Sequence, residues 1–247
     1  DPSELFLEAL ESPPLSHGHP LGVDDSGFDV GRRLAHGGYQ TLGIALGAAG
    51  LALTLGLPLG ALSGIRAGRL DALLMLFANT LLSFPALLLA LCLVTMVSGP
   101  GQRGTWALLV AVALVEAPKL LRQSRASFRL ESGKDYAMAS RALGCPSWRF
   151  VIRTLLPNAI PPVIVAVTMG MGSAVLEVAG LSFLGLGLEP GSAEWGLMVA
   201  ESQASVSSVP WACIAPGTAI FITVLGFNLL GDALQDAMQV RARGSAT

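Results

Sequence analysis

Apolar and polar positions fall into blocks along the 247-residue chain. Residues 41–65, 72–102, 154–176 and 202–231 contain no Asp, Glu, Lys or Arg. Each run exceeds the roughly 20 apolar residues with which a helix, rising about 1.5 Å per residue, crosses a ~30 Å hydrocarbon layer. One such run is compatible with a buried core helix. Four of them predict an all-α polytopic membrane protein. Turn residues and charges divide the pattern into five spans, at about 38–65, 71–98, 104–121, 156–184 and 210–234. The first is rich in Gly, Ala and Leu, a composition that lets helices approach closely in a membrane, and Pro58 is expected to kink it. Pro85 lies inside the second, which a turn at residues 99–101 ends. The third is crowded at its end by Glu116, Pro118 and Lys119. Residues 1–37 read as a turn-rich aqueous segment with short helices at most. Residues 122–155 form a polar loop. Residues 185–209 form a second loop with a short helix around 193–205, and 237–247 a tail.

Charge sets the orientation. The loop at 64–70, the stretch 119–153 and the tail together hold twelve Lys and Arg, whereas the opposite side holds Arg32, Arg33 and Arg103. By the positive-inside rule the long polar loop and the C-terminus are cytoplasmic, and residues 1–37 and 185–209 face outward. The chain opens on Asp1, and an odd number of spans starting outside predicts a sixth, N-terminal helix that this sequence lacks.

Only 13% of residues are charged, against about a quarter in soluble domains. No basic stripe interleaved with aromatics is present, which argues against nucleic acid as a partner. Cys92, Cys145 and Cys213 are odd in number, and two lie in apolar runs, which argues against a disulfide framework. The one Gly-Lys pair, Gly133-Lys134, is followed by Asp135, and Phe128 stands where a Walker A loop needs its first glycine. The chain therefore has no phosphate-binding loop of its own.

The polar loop carries the most specific pattern. It includes Met138-Ala139-Ser140, then Gly144 after three residues, then Thr154-Leu155-Leu156-Pro157 after nine more. Good helix formers precede Gly144, which can end a helix in a left-handed conformation. Ala139, Ala142 and Gly144 are small enough for a partner to approach the backbone. Helix, break and second helix would make a compact knob. The loop resembles the Glu-Ala-Ala loop of ABC importer permeases, with Met138 in place of the glutamate and Thr154 in place of an isoleucine.

Other segments resemble the dipeptide, oligopeptide and nickel permeases in particular. His19-Pro20-Leu21-Gly22-Val23-Asp24, with Gly27 and Asp29 after it, is similar to an N-terminal segment of that family, from which Val23 and Phe28 depart. Leu181-Ser182-Phe183-Leu184-Gly185-Leu186-Gly187 and Trp195-Gly196 resemble two further elements, and Phe227-Asn228-Leu229-Leu230-Gly231-Asp232 resembles its C-terminal ending. These matches run in family order through most of the chain.

The resemblance implies a type I ABC importer transmembrane domain in a bacterial or archaeal plasma membrane. Its expected partners are a second permease subunit, two ATP-binding subunits and an extracytoplasmic solute-binding protein, besides membrane lipid. ATP and Mg would be bound by the ATPase subunits, with no cofactor or metal on this chain. Asp135, Ala139, Ser140, Ala142, Gly144, Leu156 and Pro157 would dock the ATPase. The implied cargo is a di- or oligopeptide, with nickel or a metal chelate as the alternative.

Some single residues stay open. Glu177, within a span, either lines the translocation path near cationic groups or is bonded to a neighbouring helix. Glu116 reads as structural or solvated. His17 and His19 are weak as a metal pair, and Asp24, Asp25 and Asp29 read as turn and cap residues. Asn228 with Asp232, and Asn79 with Ser83, are expected to make helix–helix or cap contacts. An intramembrane protease is disfavoured because all three histidines precede the first span. An ion-coupled secondary transporter has only Glu177 in its favour.

Overall fold

In the computed structural model, residues 3–16, 18–66, 68–98 and 104–244 are described, with backbone only from 239 onward. His17, the expected turn at 99–101, Arg103 and the side chains of Arg241 and Arg243 lie outside the described residues. The described chain is helical: α1 (Val30–Ile65), α2 (Arg69–Leu82), α3 (Ala86–Ser98), α4 (Thr105–Ser132), α5 (Asp135–Ala142), α6 (Ser147–Arg149), α7 (Leu156–Phe183), α8 (Trp195–Glu201) and α9 (Pro210–Gly244). A 3-10 turn at Leu7–Ala9 precedes them, and a π-helical turn, Phe150–Leu155, joins α6 to α7.

By length and composition three helical stretches among the described residues can cross a membrane: Val30–Ile65, Ser147–Phe183 and Pro210–Met238. The second expected span is not one helix. It breaks between α2 and α3 at residues 83–85, where Pro85 lacks the N–H that would continue the ladder, and the two pieces qualify only as a pair. The third expected span is the first part of α4, which continues to Ser132. Eighteen residues counted from Thr105 already include Glu116, Lys119 and Arg122, so α4 falls outside the apolar criterion. The first helix starts eight residues earlier than expected, at Val30, and stays helical across Pro58.

The chain divides into two compact bodies. The first comprises residues 1–48, 86–112 and 171–226. Its N-terminal segment folds as successive turns against the start of α1. The Asp29 carboxylate accepts the Arg32 N–H at 2.9 Å and caps the helix. Val30, Val209 and Ala212 form a small buried core, with Leu21, Trp211 and Ala215 packed around it. Gly22, at φ +79°, has no room for a side chain, since a Cβ would lie 2.6 Å from the Ser12 carbonyl oxygen.

The second body comprises residues 49–85, 113–170 and 227–247. Its main seam is between α1 and α4. A Cβ on Gly56, Gly60 or Gly64 would fall 2.8, 2.5 or 2.7 Å from the nearest α4 atom. Glycine every fourth residue puts a bare stripe on one face of α1, and the two backbones meet along it. Across the seam, Ser63 Oγ donates to Asp71 Oδ1 at 2.5 Å, and Arg125 grips the same carboxylate through Nε at 2.5 Å and Nη2 at 2.8 Å. This fork-on-carboxylate geometry ties α1, α2 and α4 together.

Candidate functional site: a helical knob and two polar clasps

The segment after α4 folds into the expected knob, within the second body. Tyr136 donates to Glu131 Oε2 at 2.6 Å and Lys134 Nζ to Glu131 Oε1 at 2.7 Å, which fixes the turn from α4 into α5. Partial burial and the neighbouring Glu131 carboxylate push the Tyr136 phenol above its ordinary range. At the far end of α5, the Gly144 N–H reaches the Arg141 carbonyl at 2.9 Å and the Cys145 N–H reaches the Ser140 carbonyl at 3.2 Å. With Gly144 at φ +73° this is a Schellman ending, in which the left-handed residue is the glycine. Pro146 then stops the chain from resuming the same helix. The π turn precedes Pro157, which lacks an N–H, and Asn158 Nδ2 donates to the Thr154 carbonyl at 2.8 Å. Phe128, Ala137, Phe150, Leu155 and Ala159 form the buried core that holds the knob.

Its outer face carries large apolar side chains among the charged Asp135, Arg141, Arg149 and Arg153. Leu143 is 88% exposed, and Trp148, Ile152 and Met138 are more than half exposed. Asp135, Ala139, Ala142, Gly144 and Pro157 are exposed as well, whereas Ser140 and Leu156 are half-buried. An exposed cluster of large apolar side chains on a short, well-braced hairpin is what a protein-docking surface requires.

The N-terminal and loop patterns converge in the first body. Arg33, only 3% exposed, is held by Asp24 Oδ2 at 3.1 Å, Glu201 Oε2 at 2.6 Å and the Ser192 carbonyl at 3.2 Å, and its guanidinium lies over the Phe28 ring. Burial pushes the Asp24 carboxyl above its ordinary value, against the opposing pull of the Phe28 N–H and Arg33. His19 Nδ1 and Asp29 Oδ2 are 2.5 Å apart. Burial would raise the Asp29 carboxyl, but His19 and the Arg32 amide outweigh it and leave it below the usual value. Asp24 also accepts the Ser26 and Phe28 N–H groups, the expected turn role. Among the described residues no group of three His, Cys, Asp or Glu could hold a metal.

A second clasp surrounds α8. Glu194, fully buried, caps it by accepting the Gly196 and Leu197 N–H groups, and takes the Thr41 hydroxyl at 2.8 Å. The Trp195 indole donates to the Leu34 carbonyl at 2.8 Å. Gly196 lies against Ala179, where a Cβ would come within 2.2 Å of the carbonyl oxygen, and Gly187 lies against Ser182. Gly185 turns the chain out of α7 at φ +77°. These contacts account for the small residues in both elements around 181–196.

Glu177 is 8% exposed in α7 and is engaged by a neighbouring group. Glu116 is 4% exposed and paired with Lys119 at 2.5 Å, so its solvated reading gives way to the structural one. Ser83 bonds the Asn79 carbonyl within its own helix end. Gly231 is buried against Met169, whereas Asn228 and Asp232 are exposed and make none of the expected contacts within the described chain. Sequence reasoning passed over Arg33, Thr41, Glu194, Ser63, Asp71 and Arg125. Thr41 and Ser63 lie inside an uncharged run and Asp71 beside one, whereas Arg33, Arg125 and Glu194 carried no such signal.

Helices able to span a bilayer, with a braced knob leading into one of them, define a membrane-embedded protein. Residues 56–244 match the family described as the binding-protein-dependent transport system inner membrane component, and the chain belongs to it. The di/tripeptide transport system permease protein DppC of Pseudomonas aeruginosa is 38% identical over all of this chain and 82% of its own length. The probable D,D-dipeptide transport system permease protein DdpC of Escherichia coli is 36% identical, over 99% of this chain and 80% of its own. Among solved structures, an inward-facing form of the MetNI methionine ABC transporter superposes with TM-score 0.64 at 20% identity, covering 82% of this chain and 96% of that one. An amino acid ABC transporter does so with TM-score 0.65 at 18% identity, covering 84% and 94%. The fold is that of ABC importer membrane domains.

Proposed function

We propose that this chain is one of two membrane-spanning halves of an ATP-driven importer whose cargo is a di- or oligopeptide handed over by an extracytoplasmic binding protein. The knob at 135–157 faces the cytoplasm and seats in a partner ATPase, which binds ATP and Mg and supplies the hydrolysis. A second permease subunit completes the pathway. In this reading α1, the broken α2–α3 pair, α4, α7 and α9 make five crossings, and the C-terminus is cytoplasmic.

The observation that carries the docking role is the combination of a rigid Schellman-ended hairpin with Leu143, Trp148 and Ile152 turned outward. The peptide cargo is supported by full-length similarity to permeases named for di- and tripeptides. Expressing the chain with its genomic neighbours and purifying it should bring down a P-loop ATPase. Leu143→Asp, at a position too exposed to unsettle the fold, should reduce ATPase recovery at least tenfold at unchanged membrane yield. Undiminished recovery would remove the knob from the interface. Uptake of labelled dipeptide against labelled nickel by the reconstituted complex then separates the two cargo classes.

A further inference from the structure

The second body contains a cleft of about 650 Å³, walled in part by the knob, for which the transport reading names no ligand. Leu57, Pro58 and Ala61 of α1 form one wall, Phe150 and Val151 of the π turn form another, and Phe128 of α4 lines it as well. Phe128 is fully buried, so the cleft reaches down to the core that braces the knob. Two guanidinium groups line it, Arg66 and Arg141, and no carboxylate does. Neither arginine forms an ion pair with a described residue. Arg66 directly follows Ile65 and is the first charge after the uncharged run 41–65 of a helix long and apolar enough to cross a membrane. Arg141 lies over the Phe150 ring at 4.7 Å, which keeps one positive charge beside the apolar wall.

We propose that this cleft binds one anionic phospholipid, with an acyl chain in the apolar slot and the phosphate held by Arg66 and Arg141. The volume falls within the ~300–1,000 Å³ of ligand cavities. Basic pockets between helices at the membrane boundary select acidic head groups. A slot deep enough to reach Phe128 suits a flexible chain better than the surface of a folded partner. The inference rests on residence in the membrane, which the family establishes, and not on the identity of the cargo. Its consequence is that lipid composition would act on the knob, because Phe150, Val151 and Leu156 belong both to the cleft and to the packing that braces the knob.

The test is native mass spectrometry of the purified, delipidated full chain titrated with dioleoylphosphatidylglycerol, dioleoylphosphatidylcholine or oleate. One phosphatidylglycerol should be retained at a concentration roughly tenfold below that needed for phosphatidylcholine. Arg66→Gln with Arg141→Gln should erase that preference, whereas Arg69→Gln, outside the cleft, should keep it. Ala61→Phe fills the slot and should abolish tight retention. Leu62→Trp, at a more exposed wall position, repeats that test should Ala61→Phe fail to fold. Equal retention of the two phospholipids by the wild type would overturn the proposal. So would unchanged retention in the slot-filling variants, or oleate displacing phosphatidylglycerol at equal concentration. Loss of the lipid when a partner ATPase is bound would assign the cleft to a protein instead.

Discussion

The α1–α4 seam makes a prediction in which two ordinary effects of one substitution have opposite signs. Glycine inside a helix is worth roughly 0.5–1 kcal/mol less than alanine because of its backbone entropy. At Gly50, where nothing lies within 4 Å of an added Cβ, that gain should be realised in full. At Gly60 the same methyl would sit 2.5 Å from the Leu121 carbonyl oxygen, 2.5 Å from Ser124 Cβ and 2.9 Å from the Arg125 N. Two of these are backbone atoms that no rotamer change can move, so α1 and α4 must separate. Overpacking of this kind costs about 1–3 kcal/mol, more than the helix gains. Separation would also stretch the Arg125–Asp71 contacts beside it. Thermal unfolding of the purified chain in a single detergent is the assay. At ~2–4 °C per kcal/mol for a domain of this size, Gly50→Ala should raise the midpoint by a few degrees. Gly60→Ala should lower it by a comparable or larger amount, and Gly60→Val further still. If Gly60→Ala proves as stable as Gly50→Ala, the two helices are not in backbone contact and the seam has been misread.

Three further outcomes follow from the polar contacts. Asp71→Asn should destabilise by about 2 kcal/mol, below the ~3–5 kcal/mol for breaking a fully buried pair, because Arg125 keeps a quarter of its side chain exposed; a double-mutant cycle with Arg125→Gln should show positive coupling, and additivity would count against the fork. Glu194→Ala removes the cap of α8 and the Thr41 contact together and should cost roughly 1–2 kcal/mol, read as faster hydrogen exchange across residues 194–201 with little change at 135–144. The Asp29 carboxyl is held below its unfolded value, so its contribution is complete above about pH 4 and is lost as pH falls through the lowered value. Hydrogen-exchange protection at residues 19–33 should therefore hold from pH 7 to 5 and drop in strong acid, and Asp29→Asn should show low protection throughout; an unchanged acid profile in that variant would assign the transition to another group.

Much of the fold was legible because a membrane helix announces itself through length and lack of charge. The described parts of the four uncharged runs fall within α1, the α2–α3 pair with the break at 83–85, the Ser147–Phe183 stretch and α9 together with its preceding loop. What misled was local. Asp71 to Ser98 is uncharged after its first residue, and hydropathy cannot tell a continuous span from one broken at Pro85. Residues 30–37 contain two arginines and a histidine, which suggested an aqueous start. Arg33 is nevertheless helical and buried, because Asp24 and Glu201 neutralise it, and Glu201 lies 168 residues away. Periodicity carries no information about a partner that distant.

The knob and the clasps differ in the same way. Gly144 followed by Pro146 is a stop signal readable over a few residues, and the structure realises it with a left-handed glycine. The bare stripe at Gly56, Gly60 and Gly64 was visible as composition but not as a seam, since the same spacing would serve α4 or any other neighbour. Asp71 and Arg125 had no readable relation at all, being 54 residues apart on helices whose pairing depends on that seam. The order of causes therefore runs from glycine to geometry to charge. Close approach of α1 and α4 brings Ser63, Asp71 and Arg125 together, and the ion pair that results is a consequence of the packing rather than its origin. Gly60→Ala should accordingly weaken the coupling between Asp71 and Arg125, whereas Asp71→Asn should leave the α1–α4 approach at Gly56 intact. A cysteine cross-link between α1 and α4 near Gly56 that formed equally well in Asp71→Asn and poorly in Gly60→Ala would establish that order, and the reverse pattern would make the charges the organising element.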